Sequence, residues 1–262
     1  MKRTVAVLCG SALSLATVGV IGCKPSACPG PQSSATVRSQ WEAALDAKKE
    51  LVLDANREIT IKRDVHSVVV ATDADKLAHA FAEVMRDPQR RFGLIRIDRK
   101  QANIGKPFTV GERFQGRYQL DEAIARNLEP WEKKVFGDFA KDPGVRSFLC
   151  DIENQNTSDY GVIAELNLTP KDGADYVLSY HYLEGSPIAG SSTFVVSQVS
   201  PGMSKVTQVF EYQELTSAFA LFFSSGGLKL HNQVVFNQAS QAAEILGVKV
   251  VSSDIPEPYR NP

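Results

Sequence analysis

Between Tyr160 and Glu214 apolar and polar residues alternate with a period of two, and after Leu215 the repeat lengthens to three and four. That switch constrains the fold more than any other feature of the chain. Period-two alternation lays successive side chains on opposite faces of a strand, whereas a three-to-four repeat marks one face of a helix. Strands are expected over residues 160–169, 176–184, 192–199 and 206–214, with another at 147–153 before them. Lys171-Asp172-Gly173 and Pro201-Gly202 fall between runs, and both Asp-Gly and Pro-Gly accept the backbone angles of a hairpin turn. In the final segment Leu228, Val234 or Val235, Ala239, Ala242 and Leu246 share one broad helical face, which Gly247 ends. Ser224-Ser225-Gly226-Gly227 is expected to break or kink that segment near its start.

The region before the strand series carries the same two signals. Residues 58–72 alternate at Ile59, Ile61 and Val65 and then run Val68-Val69-Val70, a strand entering a core. Thr72 is placed to cap a helix whose first turn holds Asp73 and Asp75 and whose buried face is Leu77, Ala80, Phe81 and Val84. Asp87-Pro88 closes it. Two strands are expected at 92–98 and 109–120, with Gly111 and Gly116 marking a bend or bulge in the second. Trp131, Val135 and Phe139 follow Pro130 at helical spacing, and Asp142-Pro143-Gly144 stops that helix.

At the N-terminus Met1-Lys2-Arg3 precedes an apolar run to Gly22, the grammar of a secretory signal. A spanning helix of about 20 apolar residues is close in length, but Val20-Ile21-Gly22-Cys23 resembles the bacterial lipobox. That resemblance implies cleavage before Cys23, a diacylglyceryl group on its sulfur and added acyl chains such as palmitate. Such an anchor holds firmly, at about 0.8 kcal/mol per buried methylene. Lys24 stands where some lipoproteins carry an inner-membrane retention Asp, so the resemblance points to the periplasmic face of the outer membrane. Residues 24–38, rich in Pro, Ser, Gly and Ala, read as a tether. Trp41, Leu45, Leu51, Val52 and Ala55 then fall near helical spacing and are expected to pack a short helix on the domain. The chain therefore divides into a signal peptide (1–22), a lipidated tether (23–38), an N-terminal helix (39–57), a domain (58–247) and a proline-rich tail (248–262).

Removing residues 1–22 takes away Lys2 and Arg3 and no acid, moving the net charge from -1 to -3. No basic footprint for nucleic acid remains. Cys28 and Cys150 are left to pair with each other in an oxidising envelope, or to stay as an idle thiol and a buried one. No CxxC or His-Cys cluster has metal-ligand spacing, no GxSxG elbow is present, and "GERFQG" lacks the following helix of a dinucleotide fingerprint. The sequence contains no cofactor signature.

The order of one strand, one or two short helices, a long antiparallel run and a final helix resembles the START-related superfamily, often called SRPBCC. The stretches that carry the resemblance are "VVVATDADKLAHAF" and "SKVTQVFEYQE". It implies an α+β helix-grip fold, in which a curved sheet wraps the C-terminal helix and leaves a cavity commonly filled by an apolar ligand. The insertion "NLEPWEKKVFGDFAKDPG" departs from the short members and forms either a lid or an enlarged loop. On this reading Tyr180, Tyr182, Phe210, Tyr212, Phe222 and Leu230 are the candidate ligand-binding residues, Cys23 is the lipidation site, and no catalytic residue is assigned. His181 is read as a partly exposed sheet residue, Glu211 and Arg117 as solvent-facing, and His79 and His231 as solvated helix residues. Three functions remain open: a membrane-tethered carrier or sensor of a hydrophobic molecule, an accessory lipoprotein that binds another envelope protein, and a cyclase-like enzyme. A titratable group at the cavity floor would favour the third.

Overall fold

Alternation has its structural counterpart in one antiparallel sheet. The computed structural model describes residues 35–54, 61–90, 92, 95–118, 158–171, 173–224 and 228–255. These belong to the unit Ser33–Pro262, and residues 1–32 lie outside the described residues. The elements in chain order are α1 (Ala35–Ala47), β1 (Lys62–Val70), α2 (Ala74–Arg86), β2 (Ile95–Arg99), a 3-10 turn (Gln101–Asn103), β3 (Arg113–Tyr118), β4 (Ser158–Asn167), β5 (Tyr176–Tyr182), β6 (Ile188–Ser200), β7 (Met203–Glu214), α3 (Ser217–Phe222), α4 (Leu228–Ile245) and β8 (Val250–Ser253).

The sheet runs β2-β3-β4-β5-β6-β7-β1-β8. Consecutive strands from β2 to β7 pair antiparallel, while β1 returns beside β7, with Val68 opposite Val206 and Asp64 opposite Phe210. Gly202 makes the β6–β7 turn at φ 71°, a left-handed conformation that costs a glycine little. One face of the sheet is covered by α2 and α4. Leu77, Phe81 and Val84 of α2 and Val235, Ala239 and Ala242 of α4 are buried in the same core as Val68, Phe194 and Val206. Alanines on the buried face of α4 allow its backbone to approach α2 and the sheet closely.

Several sequence expectations need correction. The N-terminal helix begins at Ala35, inside the segment read as tether, and ends at Ala47. Leu51 instead continues in extended backbone, its N–H donating to the Tyr182 carbonyl at 2.9 Å, and Val52 is 84% exposed. Thr72 does not cap α2: Asp73 is the N-cap residue, and Gln198 Oε1 of β6 accepts from the Ala74 N–H at 2.8 Å. A neighbouring strand thus satisfies the first turn of the helix. The tail holds an unforeseen strand, β8, paired with β1 through Val68–Ser253 and Val70–Val250. The final helical segment is two helices, α3 ending at Phe222 and α4 starting at Leu228, on either side of the glycines expected to interrupt it. The strand expected at 147–153 and the helix around Trp131 lie outside the described residues, as do Cys23, Cys28 and Cys150. No helix among the described residues is long and apolar enough to cross a membrane.

Candidate functional site

The face of the sheet beneath α2 and α4 is built from alternate residues, so its chemistry follows from strand period and register. Tyr180 and Tyr182 of β5, Ser192 and Phe194 of β6, and Gln208 and Phe210 of β7 are brought onto this face by the pairs Tyr180–Ser192, Ser192–Phe210 and Phe194–Gln208. Across β3 and β4, Phe114 lies opposite Gly161. A Cβ built on Gly161 would meet the Phe114 ring at 2.4 Å, so only glycine leaves room for that ring on the strand.

Between this face and α4 is a cavity of about 40 Å3. A water needs ~10–15 Å3 of such space, so there is room for a few atoms in the arrangement seen. Its apolar walls include Met85, Phe92, Ile97, Phe114, Phe194 and Val234, and its polar groups are Asp159, Tyr180, Tyr182, Gln208, His231 and Gln238. The Phe114 and Tyr180 rings meet edge to face at 5.2 Å and 85°, and Tyr180 meets Tyr182 at 5.6 Å and 79°.

Most of the polar groups satisfy one another. Gln208 Nε2 donates to Ser192 Oγ at 2.7 Å, and the Tyr180 hydroxyl bonds Ser192 and Tyr182. Burial raises the Tyr180 pKa above the ordinary tyrosine value, so the phenol stays protonated. Gln238 and His231 of α4 each place a polar atom outside this network. Gln238, 3% exposed on α4, has no hydrogen-bond partner for Oε1, and His231 has none for Nδ1. The His231 ring stacks on Phe210 at 4.2 Å with 21° between planes. Burial pushes its pKa down to about 4 against the pull of Asp64, leaving it neutral near pH 7.

The candidate ligand-binding residues divide. Tyr180 and Tyr182 line the cavity. Phe210 and Tyr212 are buried but do not line it; their rings stack at 4.3 Å, and Tyr212 packs edge-on against Phe223 at 5.2 Å. Phe222 and Leu230 lie on α3 and α4, and their side chains fall outside the described residues. His181 is half-exposed beside Glu50 at 3.5 Å, and Glu211 pairs with Arg63 at 3.5 Å on the surface. Arg117 is mostly covered and pairs with Asp98 at 2.6 Å. His79 is exposed near Asp75, as expected. His231 is the misreading: polar sequence neighbours hide that its own position turns toward the sheet. Sequence reasoning also passed over Gln208 and Gln238, although Gln208 sits in the same alternating row as Phe210 and Tyr212.

Another polar cluster lies at the β1–β8 edge. His66 is 3.1 Å from Asp64 and 3.3 Å from Asp254, while Asp254 also accepts from the Ser67 N–H and hydroxyl at 2.8 and 2.9 Å. The hydrogen bond to Asp64 is the largest influence holding the His66 pKa above its ordinary value. This cluster ties the chain after β8 to β1.

No family model matches the chain, and no curated protein matches it. Among solved structures it is similar to the Zhui aromatase/cyclase from Streptomyces sp. R1128, at 10% identity over 71% of this chain and 96% of that one, with a TM-score of 0.44. It is also similar to a point mutant of Thalictrum flavum norcoclaurine synthase in complex with a transition-state analogue, at 12% identity over 73% and 99% of the chains, TM-score 0.41. A third similar structure is the major latex-like protein 151 of Panax ginseng, at 12% identity over 70% and 97%, TM-score 0.41. Strand order, antiparallel pairing and a C-terminal helix laid across one sheet face make the architecture of this chain the α+β helix-grip fold.

Proposed function

We propose that this protein is a membrane-anchored carrier or sensor that holds a small, largely apolar molecule between the sheet and α4. The observation that supports this most is a cavity with aromatic and aliphatic walls whose buried polar atoms include Gln238 Oε1 and His231 Nδ1, neither with a hydrogen-bond partner. Unmet polar groups in a buried site cost stability unless a ligand or water meets them, and an apolar pocket with a few convergent polar groups is the usual form of a small-molecule site. At about 40 Å3 the cavity in the arrangement seen holds a few atoms, less than the roughly 150 Å3 that takes a benzene ring, so a larger ligand enters only as α4 and the sheet move apart. Anchoring rests on the sequence, through lipid on Cys23 and retention at the periplasmic face of the outer membrane. An organic extract of the purified protein, analysed by mass spectrometry, tests ligand carriage. Detection of no bound molecule, together with failure of apolar probes to bind, would move the accessory-lipoprotein reading to first place.

A second reading, acid–base catalysis in the same cavity, has His231 and Asp159 in its favour because both are titratable and line the site. Against it, an imidazole pushed down to about 4 is a weak base at neutral pH, far from the matched value that general-base catalysis favours. Carriage therefore ranks above chemistry.

A further inference from the structure

β8 is a short edge strand with few contacts of its own. It meets β1 through the pairs Val68–Ser253, Val69–Ser252 and Val70–Val250, and Val251 is 53% exposed. The residues after it are tied more closely. The Asp254 carboxylate accepts the Ser67 N–H at 2.8 Å and the Ser67 hydroxyl at 2.9 Å, and it lies 3.3 Å from His66 Nδ1. Ile255, next in the chain, is buried in the core that α4 also packs on.

The other ring nitrogen of His66, Nε2, lies 3.1 Å from Asp64 Oδ1. Both nitrogens therefore face carboxylate oxygens, which only accept. An imidazolium donates to both, whereas a neutral imidazole has one N–H and turns a lone pair on one of the two carboxylates. The contact given up is the one to Asp254, because its side chain is 49% exposed against 20% for Asp64, and water replaces a bond at an exposed carboxylate at less cost. The groups that face His66 from the elements around it do not take over this bridge. Gln208 of β7, opposite it, carries no charge. His231 of α4 senses the charge on His66 but is itself neutral above about pH 4. Lys62, on the same face of β1, pairs with Glu214 at 2.5 Å. The hydrogen bond to Asp64 is the largest influence raising the His66 pKa, so the bridge is complete below the ordinary histidine value and is lost as the pH rises through the raised one.

We propose that β8 and the residues after it form a pH-controlled latch, closed on β1 while the His66 imidazolium bridges Asp64 and Asp254 and opening locally once the ring is neutral. Opening frees the β1 edge and withdraws Ile255 from the core, with the rest of the sheet in place. The latch does not depend on what the cavity holds.

Amide hydrogen exchange of the full chain at pH 6 and pH 8.5, corrected for the intrinsic pH dependence of exchange, measures the opening. Protection of residues 250–254 is expected to fall about three- to tenfold at the higher pH, the worth of one hydrogen bond, while residues 192–196 of β6 keep theirs. His66→Gln, neutral at every pH, is expected to hold 250–254 at the lower protection in both conditions. Asp254→Asn, which keeps an acceptor for the Ser67 N–H, should remove the pH dependence without altering His66, and it decides the matter alone if the first variant does not fold. Equal protection of 250–254 at the two pH values would overturn the latch, as would a pH dependence that Asp254→Asn retains. A fall shared equally by residues 192–196 would also overturn it, by assigning the effect to unfolding of the whole domain.

Discussion

His231 stacks on Phe210 and holds an imidazole whose charged form is disfavoured by burial. The unfolded chain binds a proton at the ordinary histidine value of 6.5, the folded chain only at about 4. Stability is therefore fully present above the unfolded value and falls as the pH drops toward 4, by roughly 3 kcal/mol at 1.36 kcal/mol per unit. His231→Phe, which keeps an aromatic ring on Phe210, is predicted to flatten that loss; urea melts of both proteins at pH 7 and pH 4.5 measure it. His66 has the opposite sign. Its raised pKa contributes stability below the unfolded value that is lost as the pH rises through the folded one, and His66→Ala removes that slope. Gly161 supplies a steric prediction. An alanine there drives a methyl group into the buried Phe114 ring, and Gly161→Ala is predicted to cost about 1–3 kcal/mol, read from the urea midpoint. None of these residues announces itself in one dimension. His231 lies between Leu230 and Asn232, and only the seating of α4 turns it inward; Gly161 becomes special only when β3 places Phe114 opposite it.

The elements separate into those legible from pattern and those fixed by partners. α2 was readable because Leu77, Ala80, Phe81 and Val84 repeat at three and four and all are buried. The β6–β7 hairpin was readable because Pro201-Gly202 satisfies a turn without any tertiary help. β8 was not, since four residues with two serines carry little period, and the strand exists because the β1 edge offers unpaired backbone groups to it. The limits of α1 also depend on a partner. Arg113 of β3 donates to the carbonyls of Leu45 at 3.1 Å and Asp46 at 3.0 Å and to that of Lys48, closing the helix C-terminus with a charge suited to its dipole. Trp41 Nε1 donates to Gln115 Oε1 at 2.6 Å, and Leu45 is buried with Val162 and Leu183, so α1 docks on the sheet face opposite α4. Arg113→Ala is predicted to destabilise the protein by about 1–3 kcal/mol and to speed amide exchange selectively in residues 38–47. Exchange that stays unchanged there would show that packing alone holds the helix.

At the scale of the whole molecule, the antiparallel run from β4 to β7 was legible from period-two alternation and its turns, while the seat of β1 beside β7 is fixed by pairing distant in sequence and was not read. The cavity's polar character was not legible, since it arises where β5, β6, β7 and α4 converge. On the proposal that Cys23 carries lipid, about eleven residues separate it from the start of α1 at Ala35, a maximum reach of roughly 40 Å at 3.3–3.6 Å each. Cys23→Ser is predicted to move the protein from the membrane to the soluble fraction with its melting temperature unchanged; a variant that stays with membranes in high salt would contradict lipid anchoring.

Carriage of a small apolar molecule is the central claim, and ligand-linked stability tests it most directly. A ligand that binds only the folded state adds about 2.7 kcal/mol at one hundred times its Kd, which for a domain of this size raises Tm by roughly 5–10 °C. The measurement is Tm of the full chain before and after exhaustive organic extraction and refolding, and again after the extract is added back. The account predicts a fall on extraction and recovery on add-back, with one molecular species in the extract. Equal Tm in all three states, with an extract no different from a blank, would contradict it.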